Sequence, residues 1–390
     1  MYISKLVLEN WRNFRSVETS LTQRVFIVGP NASGKSNLLD VFRFMRDIAS
    51  TGGGLQKAVN SERGGVSKIR CLSARTQSDI KIEIHLSNDT THEVEWKYDI
   101  GFTQTGGGIV DARAKLKYER VYDKHSKLLC NRPDDRDKND DKLLEYTWLE
   151  QPNANAQFRE VAEFFEGIQY LHVVPQLIRD STSFKNASSH VDFYGRNLIE
   201  RINRTNKKTQ SSFLKRIEKA LKLAVPQFSK LELIKDDDGI PHLQARYKHW
   251  RAVDAKQLEN QFSDGTLRLI GFLWAMQDGN KPLLLEEPEL SLHSAVVMKL
   301  ADIIHRLQTK KGGVKRQVIL TTNSFDLLSN TGISPNEVLM LFPTDEGTVV
   351  KTPADDAEIL SLLKGGMTIA EAVVPKTAPK SIHQLSLQFD

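Results

Sequence analysis

Eight residues, Gly29-Pro30-Asn31-Ala32-Ser33-Gly34-Lys35-Ser36, constrain what this chain can fold into more than any other stretch. Their spacing is that of a phosphate-binding loop, and such a loop needs a particular setting. A buried strand must deliver it, here the apolar run Val25-Phe26-Ile27-Val28, and a helix must start where it ends, here Asn37-Leu38-Leu39-Asp40-Val41-Phe42. Glycines let backbone N–H groups close around phosphate oxygens, and the helix N-terminus adds partial positive charge. The pattern predicts an α/β core with a site for a nucleoside triphosphate. Lys35 is placed to reach the β- and γ-phosphates, and the Ser36 hydroxyl to ligate Mg²⁺. Gly29, Asn31, Ala32, Ser33, Gly34, Lys35, Ser36 and Asn37 form the candidate nucleotide-binding set.

A length of 390 residues leaves room for a large core and for more than one domain. Cys71 and Cys130, the two cysteines, lack metal-ligand spacing and do not suggest a disulfide scaffold. Lys5, Glu9, Arg12 and Arg15 interrupt the N-terminal apolar residues, and no apolar run approaches the ~20 residues that span a bilayer. A cytoplasmic protein without a membrane partner is the expectation. The net charge of +5 permits a polyanionic partner without requiring one. Its densest basic stretch runs from Arg201 to Lys222, with a weaker group at Lys310, Lys311, Lys315 and Arg316, so DNA is a candidate partner.

Along the chain, Ile3 to Leu8 alternates as a strand. Between Lys68 and Leu149, alternating segments at Ile80–Ile84, Val94–Tyr98 and Leu116–Val121 predict an antiparallel meander, with turns at Ser87-Asn88-Asp89 and Gly106-Gly107-Gly108. Asn131 to Lys142 is so highly charged that a solvated hairpin excursion is expected. Ile168 to Val174 reads as a buried strand, Asp192 to Leu223 as mainly helical, and Leu231 to Tyr247 as a hairpin. No internal repeat or long heptad array occurs. The resulting division is 1–170 for a first lobe, 171–260 for a helical lobe with a hairpin, 261–345 for the rest of the core, and 346–390 for a C-terminal subdomain or docking tail.

A phosphate-binding loop alone hydrolyses nothing. Pro282-Leu283-Leu284-Leu285-Glu286-Glu287-Pro288-Glu289 reads as a buried strand ending in adjacent carboxylates, which alternation would send to opposite sides. Glu286 is the candidate Mg²⁺ ligand, and Glu287 the residue facing the γ-phosphate to polarise water. In Gln261-Phe262-Ser263-Asp264-Gly265-Thr266-Leu267-Arg268, Ser263 suits an N-cap and Asp264 the first turn. Gly265 allows close backbone approach, so this second helix start also fits a γ-phosphate.

The order of phosphate loop, Phe-Ser-Asp-Gly-Thr-Leu-Arg, Leu-Leu-Leu-Glu-Glu-Pro-Glu, Ser-Leu-His and Val-Ile-Leu-Thr-Thr-Asn-Ser resembles the ABC-type ATPases of the SMC/RecF group. Within it, the chain is most similar to the compact prokaryotic AAA-family or OLD-like (overcoming lysogenisation defect) branch. The resemblance implies an α/β ABC-type ATPase head with the antiparallel meander in lobe I, a helical lobe II and a mixed or parallel core sheet. It implies ATP and Mg²⁺. Asn10-Trp11-Arg12-Asn13-Phe14-Arg15-Ser16 resembles the group's Asn-Phe-Arg element, which makes Arg12 and Asn13 candidate nucleotide-binding residues, and Ser263, Asp264 and Gly265 match the signature loop that contacts ATP held by the opposite subunit. Gln176 matches a lobe-linking glutamine that senses Mg²⁺ together with Ser36 and Glu286. Asn323 stands where the group has a switch histidine; an amide hydrogen-bonds a phosphate oxygen but carries no positive charge, so slow hydrolysis is expected.

One phosphate loop and one signature per chain imply a head-to-tail homodimer, or a higher homo-oligomer, with ATP between subunits. OLD nucleases add a Toprim domain, for which the roughly 65 residues after Asn323 are short. The expected effector, a Toprim-type nuclease or a toxin, is therefore another chain. The reading is an ATPase or sensor subunit in anti-phage defence or DNA maintenance. The alternative is an ATP-clamped scaffold that sequesters a toxin-like partner.

Overall fold

The computed structural model describes residues 1–74, 78–106, 112–180, 192–248, 254–309 and 316–378. Strands β1 (Tyr2–Trp11), β2 (Phe14–Ser20) and β3 (Arg24–Val28) lead into the phosphate-loop helix Lys35–Ala49. The meander follows as β4 (Ile80–Ser87), β5 (Val94–Thr105), β6 (Arg113–Asp123) and β7 (Leu128–Arg132). After the helix Arg159–Glu166 come β8 (Gln169–Leu171), the helices Leu198–Arg204 and Lys207–Ala224, and a small sheet of β9 (Phe228–Lys235), β10 (Pro241–Tyr247) and β11 (Ala255–Leu258). The signature helix Asp264–Ala275 precedes β12 (Leu283–Glu286), the helix Leu300–Thr309 and β13 (Val318–Thr322). Strands β14 (Val338–Thr344) and β15 (Gly347–Lys351) and the helices Ala357–Lys364 and Ile369–Thr377 follow.

The central sheet has the order β15-β14-β3-β13-β12-β8, parallel except for β15 at its edge. Its inner strands β3, β12, β13 and the first half of β14 are buried on both faces, which explains their unbroken apolar runs. Alternation divides them between two cores. Val25 and Ile27 of β3, Leu284 of β12, Ile319 of β13, and Leu339 and Leu341 of β14 join the core of the meander and the phosphate-loop helix. Phe26 and Val28, Leu283 and Leu285, Val318 and Leu320, and Val338 and Met340 point the other way, into the core of the helical lobe. The sheet is thus the wall between the two lobes, and its strand ends carry the phosphate loop and the carboxylates.

The fold is the expected one, α/β with a meander in one lobe, a helical second lobe and a mixed core sheet. The meander is larger than its three alternating segments indicated: the antiparallel sheet runs β2-β1-β4-β5-β6-β7. Nor is Asn131–Lys142 simply a solvated excursion. Arg132 is buried and pairs with Asp137 at 2.6 Å and Glu119 at 3.3 Å, while Asp134 and Asp137 form a capping box on the helix Asp135–Asn139. The buried strand expected over Ile168 to Val174 is confined to β8. Among the basic residues, Arg201 pairs with Asp278, Arg204 with Glu200 and Lys222 with Glu218, whereas Lys207, Lys208, Lys215 and Lys219 lie exposed. Lys310, Lys311 and Lys315, Gly107 and Gly108 of the expected turn, and residues 379–390 of the expected tail lie outside the described residues. No described helix is long and apolar enough to cross a membrane.

Candidate nucleotide-binding site

Strand β3 ends at Val28 and the chain turns through the phosphate loop into the helix Lys35–Ala49. Gly34 takes a left-handed φ of 97°, and a Cβ there would lie 2.1 Å from Asn13 Nδ2, so glycine is required on both counts. Lys35 Nζ donates to the carbonyls of Gly29 at 2.8 Å and Pro30 at 3.2 Å, which fixes the ammonium across the loop. Burial lowers its pKa below the ordinary lysine value, although Glu287, Glu286 and Glu289 pull the other way. A buried ammonium among carboxylates is suited to a more highly charged anion. No side chain caps this helix, so its first N–H groups have no intrahelical acceptor, and the fully buried Ser33 Oγ has no partner. Uncapped donors, an orphaned hydroxyl and a buried cation together fit a polyphosphate.

The loop is braced from outside. Asn13 Nδ2 donates to Ser33 O at 2.9 Å and to Thr348 Oγ1 at 2.7 Å, while Thr348 Oγ1 donates to Ser33 O at 2.8 Å. Asn37 Nδ2 donates to Asn13 Oδ1 at 2.8 Å, and Trp11 Nε1 to Asn37 O at 2.9 Å. Asn13 and Asn37 therefore hold the loop's shape. Arg12 lies on the flank of the helix, paired with Asp40 at 3.2 Å. Thr348 sits 335 residues from Asn13 in sequence, and no motif marks it.

The acidic strand comes to the same place. Ser36 Oγ donates to Glu286 Oε1, and the Tyr170 hydroxyl donates to Glu286 Oε2. His172 Nδ1 lies 3.3 Å from the Glu286 carbonyl oxygen. Glu286 and Ser36 thus form a pair of oxygen donors suited to Mg²⁺, a hard cation that prefers such ligands beside phosphates. The two carboxylates do not occupy opposite faces of a strand as alternation suggested. Strand β12 stops at Glu286, Glu287 takes a left-handed φ of 43°, and both side chains act electrostatically on Lys35. The backbone N–H of Glu287 is held by Thr321, 3.2 Å from both its carbonyl oxygen and its hydroxyl.

Glu289 is a site residue the sequence reading did not single out, although it belongs to the acidic motif. It is 9% exposed, and its Oε1 accepts from Thr322 Oγ1 at 2.6 Å and from the Asn323 N–H at 3.4 Å. Burial raises its pKa against those hydrogen bonds, and the neighbouring Glu287 adds to the rise. Asn323 in turn donates from Nδ2 to Asn31 Oδ1 at 3.1 Å, so the switch position already reaches the phosphate loop.

The signature loop lies elsewhere. Ser263 caps its helix, with Oγ accepting from Thr266 N at 3.2 Å. A Cβ on Gly265 would lie 2.6 Å from Ser291 O, so this loop packs on the Ser291-Leu292-His293 segment of its own chain. Gln176 does not join Ser36 and Glu286: its amide donates to Asp264 Oδ2 at 3.2 Å, and Arg179 holds the other oxygen at 2.5 Å. Both residues lie on the short helix Pro175–Arg179, which a proline in its first turn starts, and both reach the signature residue Asp264. Tyr170, a product of the register between β8 and β12, stands at Glu286 instead. Among the described residues, no hydrogen bond or ion pair links Ser263, Asp264 or Gly265 to Lys35 or Ser36.

Comparison with solved structures shows the same fold in an SMC head bound to the C-winged helix domain of ScpA. That match has 17% identity, covers 90% of this chain and 98% of the other, and has a TM-score of 0.52. An SMC head with an extended coiled coil derived from Pyrococcus furiosus, bound to the C-terminal domain of ScpA, aligns at 16% identity over 93% and 99% of the two chains, with a TM-score of 0.47. No curated protein sequence matches. The family model described as "AAA domain, putative AbiEii toxin, Type IV TA system" matches residues 24–330, from the start of β3 past the switch position. With most of its length inside that match and the site above at its centre, the chain belongs to this AAA-domain family, and it shares the fold of an SMC head.

Proposed function

We propose that this chain binds and hydrolyses ATP with Mg²⁺ and dimerises head to tail around the nucleotide. One observation carries the reading: Lys35, Ser36, Glu286 and Glu287 converge, whereas Ser263 and Gly265 present a second helix start away from them. The first group would hold the triphosphate and the metal. Glu287, next to the buried Lys35, would take the proton of the attacking water, and Ser263 would meet the γ-phosphate of a second copy. Mg²⁺, held at Ser36 and Glu286, would supply charge neutralisation on the phosphates. Glu287→Gln removes the base but preserves size, so turnover should fall roughly 10²–10⁴-fold while ATP binding persists. Wild-type turnover in that variant would contradict the assignment.

The biological setting we infer is an ATPase subunit controlling a separate effector, a nuclease or a toxin, in phage defence or DNA maintenance. The toxin–antitoxin wording of the family description and the ScpA-bound state of a fold relative support a head that works through partner proteins. If DNA also binds, Lys207, Lys208, Lys215 and Lys219 are the exposed cations for it, and affinity should fall steeply with salt.

A second reading, a scaffold that sequesters a toxin-like partner while hydrolysis is incidental, draws on Asn323. This uncharged switch residue is engaged with Asn31. Glu287→Gln separates the two: a turnover-driven machine loses its biological output, whereas a scaffold keeps partner capture.

A further inference from the structure

Glu286 has one more side-chain torsion than an aspartate, and holding both its oxygens in place costs conformational entropy. The chain meets that cost from two sides. Ser36 Oγ occupies Oε1 and the Tyr170 hydroxyl occupies Oε2. Tyr170 is itself immobilised. It lies opposite Leu284 in the β8–β12 pairing and is 7% exposed, with the Phe193 ring edge-on at 5.5 Å and the Arg43 guanidinium 4.5 Å from its ring centre. A buried phenol needs a hydrogen-bond partner, and Glu286 is the one it has.

We propose that Tyr170 is a positioning residue for the metal-side carboxylate. By occupying Oε2 it leaves Oε1, beside Ser36, as the single oxygen offered to a divalent cation, and so sets the cation affinity of the site. Phe193 and Arg43 are the supports that hold the phenol in register. The inference rests on the nucleotide-site reading above, and it concerns metal affinity rather than the chemical step.

The test measures equilibrium binding of a fluorescent ATP analogue in a Glu287→Gln background, so that turnover plays no part, with Mg²⁺ titrated from an EDTA baseline. Tyr170→Phe keeps the ring and removes the hydroxyl. It should raise the half-saturating Mg²⁺ concentration roughly tenfold, the lower end of the effect of losing an outer-shell partner, and leave nucleotide affinity in EDTA unchanged. In Glu286→Asp, whose arm is one methylene shorter and cannot span Ser36 and Tyr170 together, adding Tyr170→Phe should change nothing further. An unaltered Mg²⁺ requirement in Tyr170→Phe overturns the proposal, as does the same tenfold shift recurring in Glu286→Asp. A Tyr170→Phe protein that loses nucleotide binding even in EDTA also overturns it, because the phenol would then be holding the fold and not the metal ligand. Binding to the parent protein that ignores Mg²⁺ altogether would instead overturn the site reading itself, which keeps the two failures distinct.

Discussion

Under the proposed function, Asn323 would limit how fast this site works. Its amide reaches Asn31 of the phosphate loop at 3.1 Å, but a neutral donor stabilises developing phosphate charge less than a cationic one. The difference between a charged and a neutral hydrogen bond is about 1 kcal/mol, or about fivefold in rate. Asn323→His should therefore raise steady-state turnover about fivefold, with the gain fading as pH rises and the imidazole loses its proton; a variant slower than wild type at pH 6 contradicts this. Gly34→Ala tests the loop itself. A methyl group would strike Asn13 Nδ2 at 2.1 Å in a backbone conformation that disfavours side chains, so ATP binding measured by calorimetry should be lost. Retained affinity would show that the Asn13–Ser33–Thr348 brace is not needed. At this scale the sequence was informative wherever residues are contiguous, as in the phosphate loop and the acidic motif. It was silent on Thr348 and Tyr170, which strand register places, and on the true neighbour of Gln176, which the packing of two helices places, because none of these is set by local spacing.

Elements convert those residues into a rigid frame. The meander's end is locked by Arg132, buried between Asp137 and Glu119. Arg132→Ala would strand two buried carboxylates and should cost about 3–5 kcal/mol, read as a lower urea midpoint; a change under about 1 kcal/mol contradicts this account. A charge-rich segment reads as solvated from composition alone, because composition does not reveal which charges neutralise one another underground. In the small sheet, His242 of β10 contacts Glu259 through Nδ1 at 2.7 Å and Asp236 through Nε2 at 3.3 Å. Burial lowers its pKa, but those two carboxylates outweigh burial and raise it above the ordinary 6.5. The stabilisation from the charged imidazole is fully present below the unfolded value of 6.5 and is lost as pH rises through the higher folded value. The stability gap between wild type and His242→Gln in urea unfolding should accordingly be larger near pH 6 than near pH 9. A gap independent of pH would show that the pair holds no charge-linked stability.

On the scale of the whole molecule, a sheet whose alternate residues feed two cores fixes the phosphate loop and carboxylates to one end of the wall, while the signature belongs to the helical lobe. This architecture was largely legible in advance, since buried strands, the loop and the signature helix each leave a periodic trace in sequence. The extent of the antiparallel sheet was not, because β1 joins it through its pairing with β4, bringing β2 along on its other edge, and no local pattern records that pairing. The central claim is that a triphosphate gripped by Lys35 of one copy is completed by Ser263 of another. Sedimentation of Glu287→Gln with ATP and Mg²⁺ tests it most directly. The account predicts that the 44.2 kDa chain sediments as a dimer with ATP, as a monomer without it, and as a monomer with ATP bound once Ser263→Arg is added. An ATP-saturated Glu287→Gln protein that stays monomeric, or a dimer indifferent to Ser263→Arg, would contradict it.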